Sequence, residues 1–139
     1  MNKFMQFTDY EIVRRFFCNS FVYIGNFLSV DPLSKFNEVQ LYDGYNLVGI
    51  ALQNVVEIDL TKNRLSPNCI QKGATLSVLS KGRFLLKAKK KWHIGTELTI
   101  GKNGFKQCKE NKKPYATILS KNGDVCEVYF NWLGLGNDG

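Results

Sequence analysis

The spacing of apolar residues changes near residue 20. Over residues 8–17, TDYEIVRRFF, Ile12 recurs with Phe16 and Val13 with Phe17 at i,i+4, while Arg14 and Arg15 face away. Thr8 and Glu11 stand at capping-box spacing, and acidic residues precede basic ones, which suits a helix dipole. The pattern predicts a short amphipathic helix. Such a helix is marginal alone, so its stripe must be covered by the rest of the fold or by a partner.

From about residue 20 the period is two. Phe21 to Ile24 and Phe27 to Val30 flank Gly25-Asn26, predicting a hairpin or a sharp bend. Val39 to Tyr42 reads as a short strand, Asp43-Gly44 as a turn, and Tyr45 to Leu52 as a nearly continuous apolar strand. In the next run Val56, Ile58 and Leu60 alternate with Val55, Glu57 and Asp59, and residues 61–73 read as a loop. Ala74 to Leu79 and Arg83 to Ala88 read as two strands joined by a turn at Ser80-Lys81-Gly82. Thr96 to Ile100 follows, then a turn over Lys102 to Phe105. Tyr115 to Leu119 and Val125 to Trp132 flank Asn122-Gly123, the pair favoured in a type I′ hairpin. Many short strands with frequent turns predict an all-β fold, a small antiparallel β-barrel or sandwich with an N-terminal arm carrying the short helix. The expected organisation is an arm over residues 1–44, a barrel over 45–133 and a flexible tail over 134–139, with the barrel complete without the arm.

With 139 residues, 44% of them hydrophobic, the chain can bury a core without disulfides or metals. It has no run of 18 uncharged apolar residues, so no membrane-spanning helix is expected. Asp9, Glu11, Arg14 and Arg15 occupy the place where a secretory signal needs its apolar centre.

Charge narrows the picture further. The net charge of +7 is concentrated: residues 81–113 hold eleven basic residues against Glu97 and Glu110, whereas residues 1–80 balance and 114–139 are net acidic. Such a block suits an acidic partner, a protein surface or nucleic acid, or simply a solvated face. Its densest part is Lys87, Lys89, Lys90 and Lys91. Arg83-Phe84 and Lys91-Trp92 echo the interleaved aromatic and basic residues of single-strand-binding barrels, although Phe84 between Arg83 and Leu85 also reads as core.

Catalytic chemistry finds little to work with. His93 is the sole histidine and sits in a basic turn, so a multi-histidine metal site is excluded. Cys18, Cys69, Cys108 and Cys126 form no C-x-x-C pair and read as reduced thiols. No P-loop or dinucleotide fingerprint occurs. Glu57 and Asp59 share one face of one strand and read as solvated. No enzyme activity and no cofactor are expected.

The segments VGIALQNV at 48–55, GATLSVLSKGRF at 73–84, IGTELTIGKNGF at 94–105 and PYATILSKNGDVCEVYFNW at 114–132 follow one another in an order that resembles the small β-barrel decoration, or cement, proteins of tailed-phage heads. The resemblance covers about residues 45–132 and lies in glycines and strand alternation. It implies a virion structural protein that binds and reinforces the capsid shell, with the major capsid protein and neighbouring copies of itself as partners, and no catalytic residues. On that reading Ile12, Val13, Phe16 and Phe17 would be apolar anchors, Arg14 and Arg15 would supply charge-assisted bonds, and Lys87, Lys89, Lys90 and Lys91 would steer docking. The alternative is a nucleic-acid-binding small barrel using residues 81–113.

Overall fold

The computed structural model describes residues 5–30, 38–52, 69–70, 72–101, 104–109 and 114–132. The expected strand at 55–60, with Glu57 and Asp59, most of the expected loop at 61–73, Lys102-Asn103 and the tail lie outside these residues. The described residues form strands and turns only: β1 Met5–Cys18, β2 Val22–Tyr23, β3 Phe27–Val30, β4 Glu38–Leu41, β5 Leu47–Leu52, β6 Cys69–Ile70, β7 Thr75–Lys87, β8 Glu97–Gly101, β9 Gly104–Gln107, β10 Ala116–Asn122 and β11 Val125–Asn131. The all-β expectation holds.

The expected helix at 8–17 is instead the long strand β1. It pairs antiparallel with β7 from Met5 opposite Leu86 to Phe17 opposite Thr75. The physical reason is twofold. A ten-residue helix is marginal in water, whereas a strand here gains a ladder and a surface suited to Phe7, Tyr10, Ile12, Val13 and Phe16. Register shifts at Phe7/Asp9, Tyr10/Ile12 and Ile12/Val13 reset the alternation, so the sequence shows no clean period of two.

The second correction concerns β7. The expected turn at Ser80-Lys81-Gly82 is absent, and one strand runs through it. Ser80 is fully buried, its hydroxyl donating to the Val48 carbonyl at 3.0 Å. Gly82 marks a close approach. A Cβ there would lie 2.2 Å from the Asp9 carbonyl oxygen of β1.

Strand β7 organises the sheet. One of its edges carries β1, while the other carries β5 along its first half and β11 along its second. The sheet order is β1-β4-β3-β5-β7-β11-β10-β8-β9, with the additional β1–β7 pairing. Hydrogen bonding therefore runs from β1 through β4, β3, β5 and β7 back to β1, a five-strand circuit without a free edge between its members. The link between β1 and β4, Phe17 opposite Glu38 and Cys18 opposite Val39, is parallel, which departs from the purely antiparallel expectation. The Gly25-Asn26 segment is a bend: β2 pairs with β6, while β3 pairs with β4 and β5. The β10–β11 hairpin forms as expected, but its loop is Gly123-Asp124 between the paired Asn122 and Val125. Gly123 alone takes positive φ, 64°, so the loop has the pattern of a turn with glycine at its first central position.

Two apolar clusters fill the fold. Phe16, Cys18, Val22, Leu28, Val39, Val48, Ala51, Leu76 and Val78 pack together from strands of the circuit and from β2. The larger cluster is built around Phe84, Phe105, Phe130, Trp92 and Trp132, with Leu47, Ile50 and Leu52 of β5 and Leu79 of β7. Strands β5 and β7 thus serve both clusters, which explains why all six residues of β5 are buried.

Candidate functional site

The sequence-predicted residues of β1 separate on the strand. Phe16 turns inward and is 8% exposed, whereas its neighbour Phe17 is 47% exposed. Val13 is 44% exposed, Arg14 and Arg15 lie at the surface, and Ile12 is half-buried between two register shifts. The i,i+4 stripe of a helix therefore does not exist. Val13, Arg15 and Phe17 form the outward row instead, as alternation in a strand requires. Next in the chain, Phe21 and Tyr23 are 53% and 43% exposed on either side of the buried Val22, with Tyr23 on β2, which pairs with β6 outside the main sheet. In sequence a strand-like apolar run reads as core, and nothing there marks which face of Phe21 to Ile24 meets water. Large apolar side chains grouped beside cations mark interaction surfaces.

Further along β1 the charges pair internally. Arg83 on β7 donates to Asp9 from Nε at 3.3 Å and Nη2 at 3.1 Å, and lies 4.0 Å from Glu127 on β11. Lys81 lies 3.8 Å from Glu11. The Asp9 hydrogen bond and charge hold the Arg83 guanidinium even more firmly protonated than usual. Part of the basic block thus meets the chain's own carboxylates.

Lys87, Lys89, Lys90 and Lys91 take no part in the ion pairs among the described residues, and all four are exposed. The turn that displays Lys89 to Lys91 is fastened from below. Trp92 is buried, its N–H donates to the Lys89 carbonyl at 3.0 Å, and the Lys89 ammonium stands 5.6 Å from the indole centroid. Lys121 donates to the Trp92 carbonyl at 2.7 Å, and the Ala88 N–H donates to the Asp124 carbonyl at 2.7 Å. His93 is exposed on the same turn, with Nδ1 3.2 Å from the Ile94 carbonyl oxygen.

The two sets of predicted residues are not brought together. Phe17 lies opposite Thr75 at one end of β7, and Lys87 ends the strand at the other. Twelve steps of about 3.4 Å put them roughly 40 Å apart along the strand. The aromatic echo of a single-strand-binding surface also resolves: Phe84 is fully buried and Trp92 is 4% exposed, so neither offers a face for a base.

No family description matches the chain, and no curated protein does. Among solved structures, the chain is similar to the head fiber gp8.5 N base of bacteriophage phi29, at 12% identity over 92% of this chain and 95% of that one, with a TM-score of 0.48.

Proposed function

We propose that this chain is a virion structural protein that attaches to the capsid shell of a tailed phage and reinforces it, its partners being the major capsid protein and neighbouring copies of itself. The observation that carries the reading is the outward row Val13, Arg15 and Phe17 on a strand locked into the sheet, followed by Phe21 and Tyr23. Exposed aromatics on a rigid support lose little entropy on docking, and the arginine adds directional bonds to carboxylates. The lysine turn at the far end of β7 adds long-range attraction to an acidic shell. The order of sequence segments, which resembles that of phage decoration proteins, supports the same reading, which needs no catalytic step and no cofactor. The nucleic-acid alternative keeps its basic residues but loses both stacking aromatics to the core.

The test is co-sedimentation with intact heads, with free DNA and RNA as competitors. Wild-type protein is expected to pellet with heads and to resist competition. Combining Arg15→Glu with Phe17→Ala should weaken attachment by about tenfold or more while leaving the melting temperature nearly unchanged, because both side chains are at the surface. Attachment at wild-type strength would remove the β1 row from the interface.

A separate expectation concerns the lysine turn. Changing Lys87, Lys89, Lys90 and Lys91 to Glu takes the net charge from +7 to −1. Head binding should fall at low salt, and the deficit should shrink as salt screens charges beyond about 8–10 Å. Unchanged binding at low salt would make the turn a solubility feature.

A further inference from the structure

Where the segment after β4 meets the β8–β9 hairpin lies a cleft of about 360 Å³, lined by none of the residues of the β1 row or the lysine turn. That volume falls at the small end of ligand-sized pockets. Its walls include Tyr42 and Tyr115, and its rim Thr99, Lys106, Gln107 and Lys109.

The tyrosines are fixed in place. The Tyr42 N–H donates to the Phe27 carbonyl and the Tyr115 N–H to the Leu98 carbonyl, each at 2.9 Å. The Tyr115 ring stands edge-on to Trp132 with centroids 4.7 Å apart, and the buried Trp132 indole N–H donates to the Leu47 carbonyl. Both tyrosines line the cleft. Burial, with Tyr115 and Asp43 nearby, pushes the Tyr42 phenol up to about 12, so it keeps its proton across the physiological range.

The cationic rim is also built. Lys106 pairs with Thr99 across the hairpin, and its stem lies over Gly101, where a Cβ would come within 2.8 Å of the lysine Cδ. Among the described residues, the lining carries two lysines and no carboxylate.

We propose that this cleft binds a carboxylate-bearing sugar ring, a hexuronate or a longer acidic saccharide ending in one. The apolar C–H face of a pyranose packs on a tyrosine ring. Its hydroxyls match Thr99, Gln107 and the phenols, and its carboxylate pairs with Lys106 or Lys109. An inorganic anion would use the lysines and leave the rings idle; a neutral sugar would leave the lysines without a counter-charge.

The full chain is titrated with glucuronic acid, glucose and inorganic phosphate while backbone amide shifts are followed by NMR. Glucuronic acid is expected to shift Thr99, Lys106, Gln107 and Tyr115 and to saturate with a Kd of about 1 mM, with glucose and phosphate each about tenfold weaker or worse. Joint Lys106→Ala and Lys109→Ala replacement should weaken glucuronic acid about tenfold without lowering the melting temperature, since both side chains are exposed. Tyr115→Phe keeps the ring and should weaken binding less. The assignment is overturned if glucuronic acid shifts none of these amides or if phosphate binds as tightly. Equal binding of glucose, or wild-type affinity in the double lysine variant, overturns it as well.

Discussion

Deleting residues 1–19 is expected to abolish the cooperative thermal transition of the isolated protein. The deletion removes all of β1, which pairs with β7 at eleven register positions and closes the five-strand circuit against β4. It also withdraws Phe16 and Cys18 from the smaller cluster and Met5 and Phe7 from the edge of the larger one. Truncating one buried Phe already costs about 3–5 kcal/mol, and a domain has only about 5–15 kcal/mol to lose. One whole edge of β7 would be left without its ladder. Circular dichroism during a thermal scan reads the outcome. A sharp transition near the wild-type temperature would mean that β1 is separable, the result the sequence alone leads one to expect. Attachment to heads therefore has to be tested by surface replacement on β1, because deletion destroys the support along with the contact.

The strands that were legible in sequence are those whose neighbours in the sheet are also near in the chain, or that are buried on both faces. β10 and β11 meet at an Asn-Gly signal whose Asn122 ends β10, and β11 keeps a regular alternation through Val125, Cys126, Glu127 and Val128. β5 announces itself as an unbroken apolar run. β1 and β7 hid for a shared reason. They pair with each other across 58 to 81 residues, as Phe17 with Thr75 or Met5 with Leu86, and no local pattern encodes such a pairing. In β1 the register shifts scrambled the period, and chance i,i+4 pairs then looked helical. In β7 a buried Ser and a Gly looked like a turn, whereas the Ser bonds to a neighbouring strand and the Gly admits another. The candidate surface was half legible for the same reason. Arg15 and Phe17 carry suitable chemistry in any conformation, but the inward turn of Phe16 beside the exposed Phe17 follows from strand geometry.

That close approach gives the sharpest single-residue prediction, Gly82→Ala. The added methyl carbon would sit 2.2 Å from the Asp9 carbonyl oxygen and 2.9 Å from Leu79 Cδ1. Gly82 stands between Tyr10 on β1 and Phe130 on β11, so β7 cannot slide away from one neighbour without meeting the other. On the far side of the same stretch, a Cβ at Gly49 of β5 would lie 2.2 Å from the Leu79 carbonyl oxygen, which removes the remaining slack. The strain therefore falls on backbone, and the β1 segment carrying Asp9 and its ion pair with Arg83 must move. The loss should reach the upper end of overpacking effects, about 3 kcal/mol. For a domain of this size that lowers the melting temperature by roughly 10 °C. Gly101→Ala is the matched comparison. The nearest atoms to its Cβ would be Lys106 Cδ at 2.8 Å and Cγ and Cε at 3.3 Å, all on a flexible stem that can swing aside, so its effect should stay within about 1 kcal/mol. Equal melting temperatures for the two variants would show that β1 does not lie against Gly82 at backbone distance.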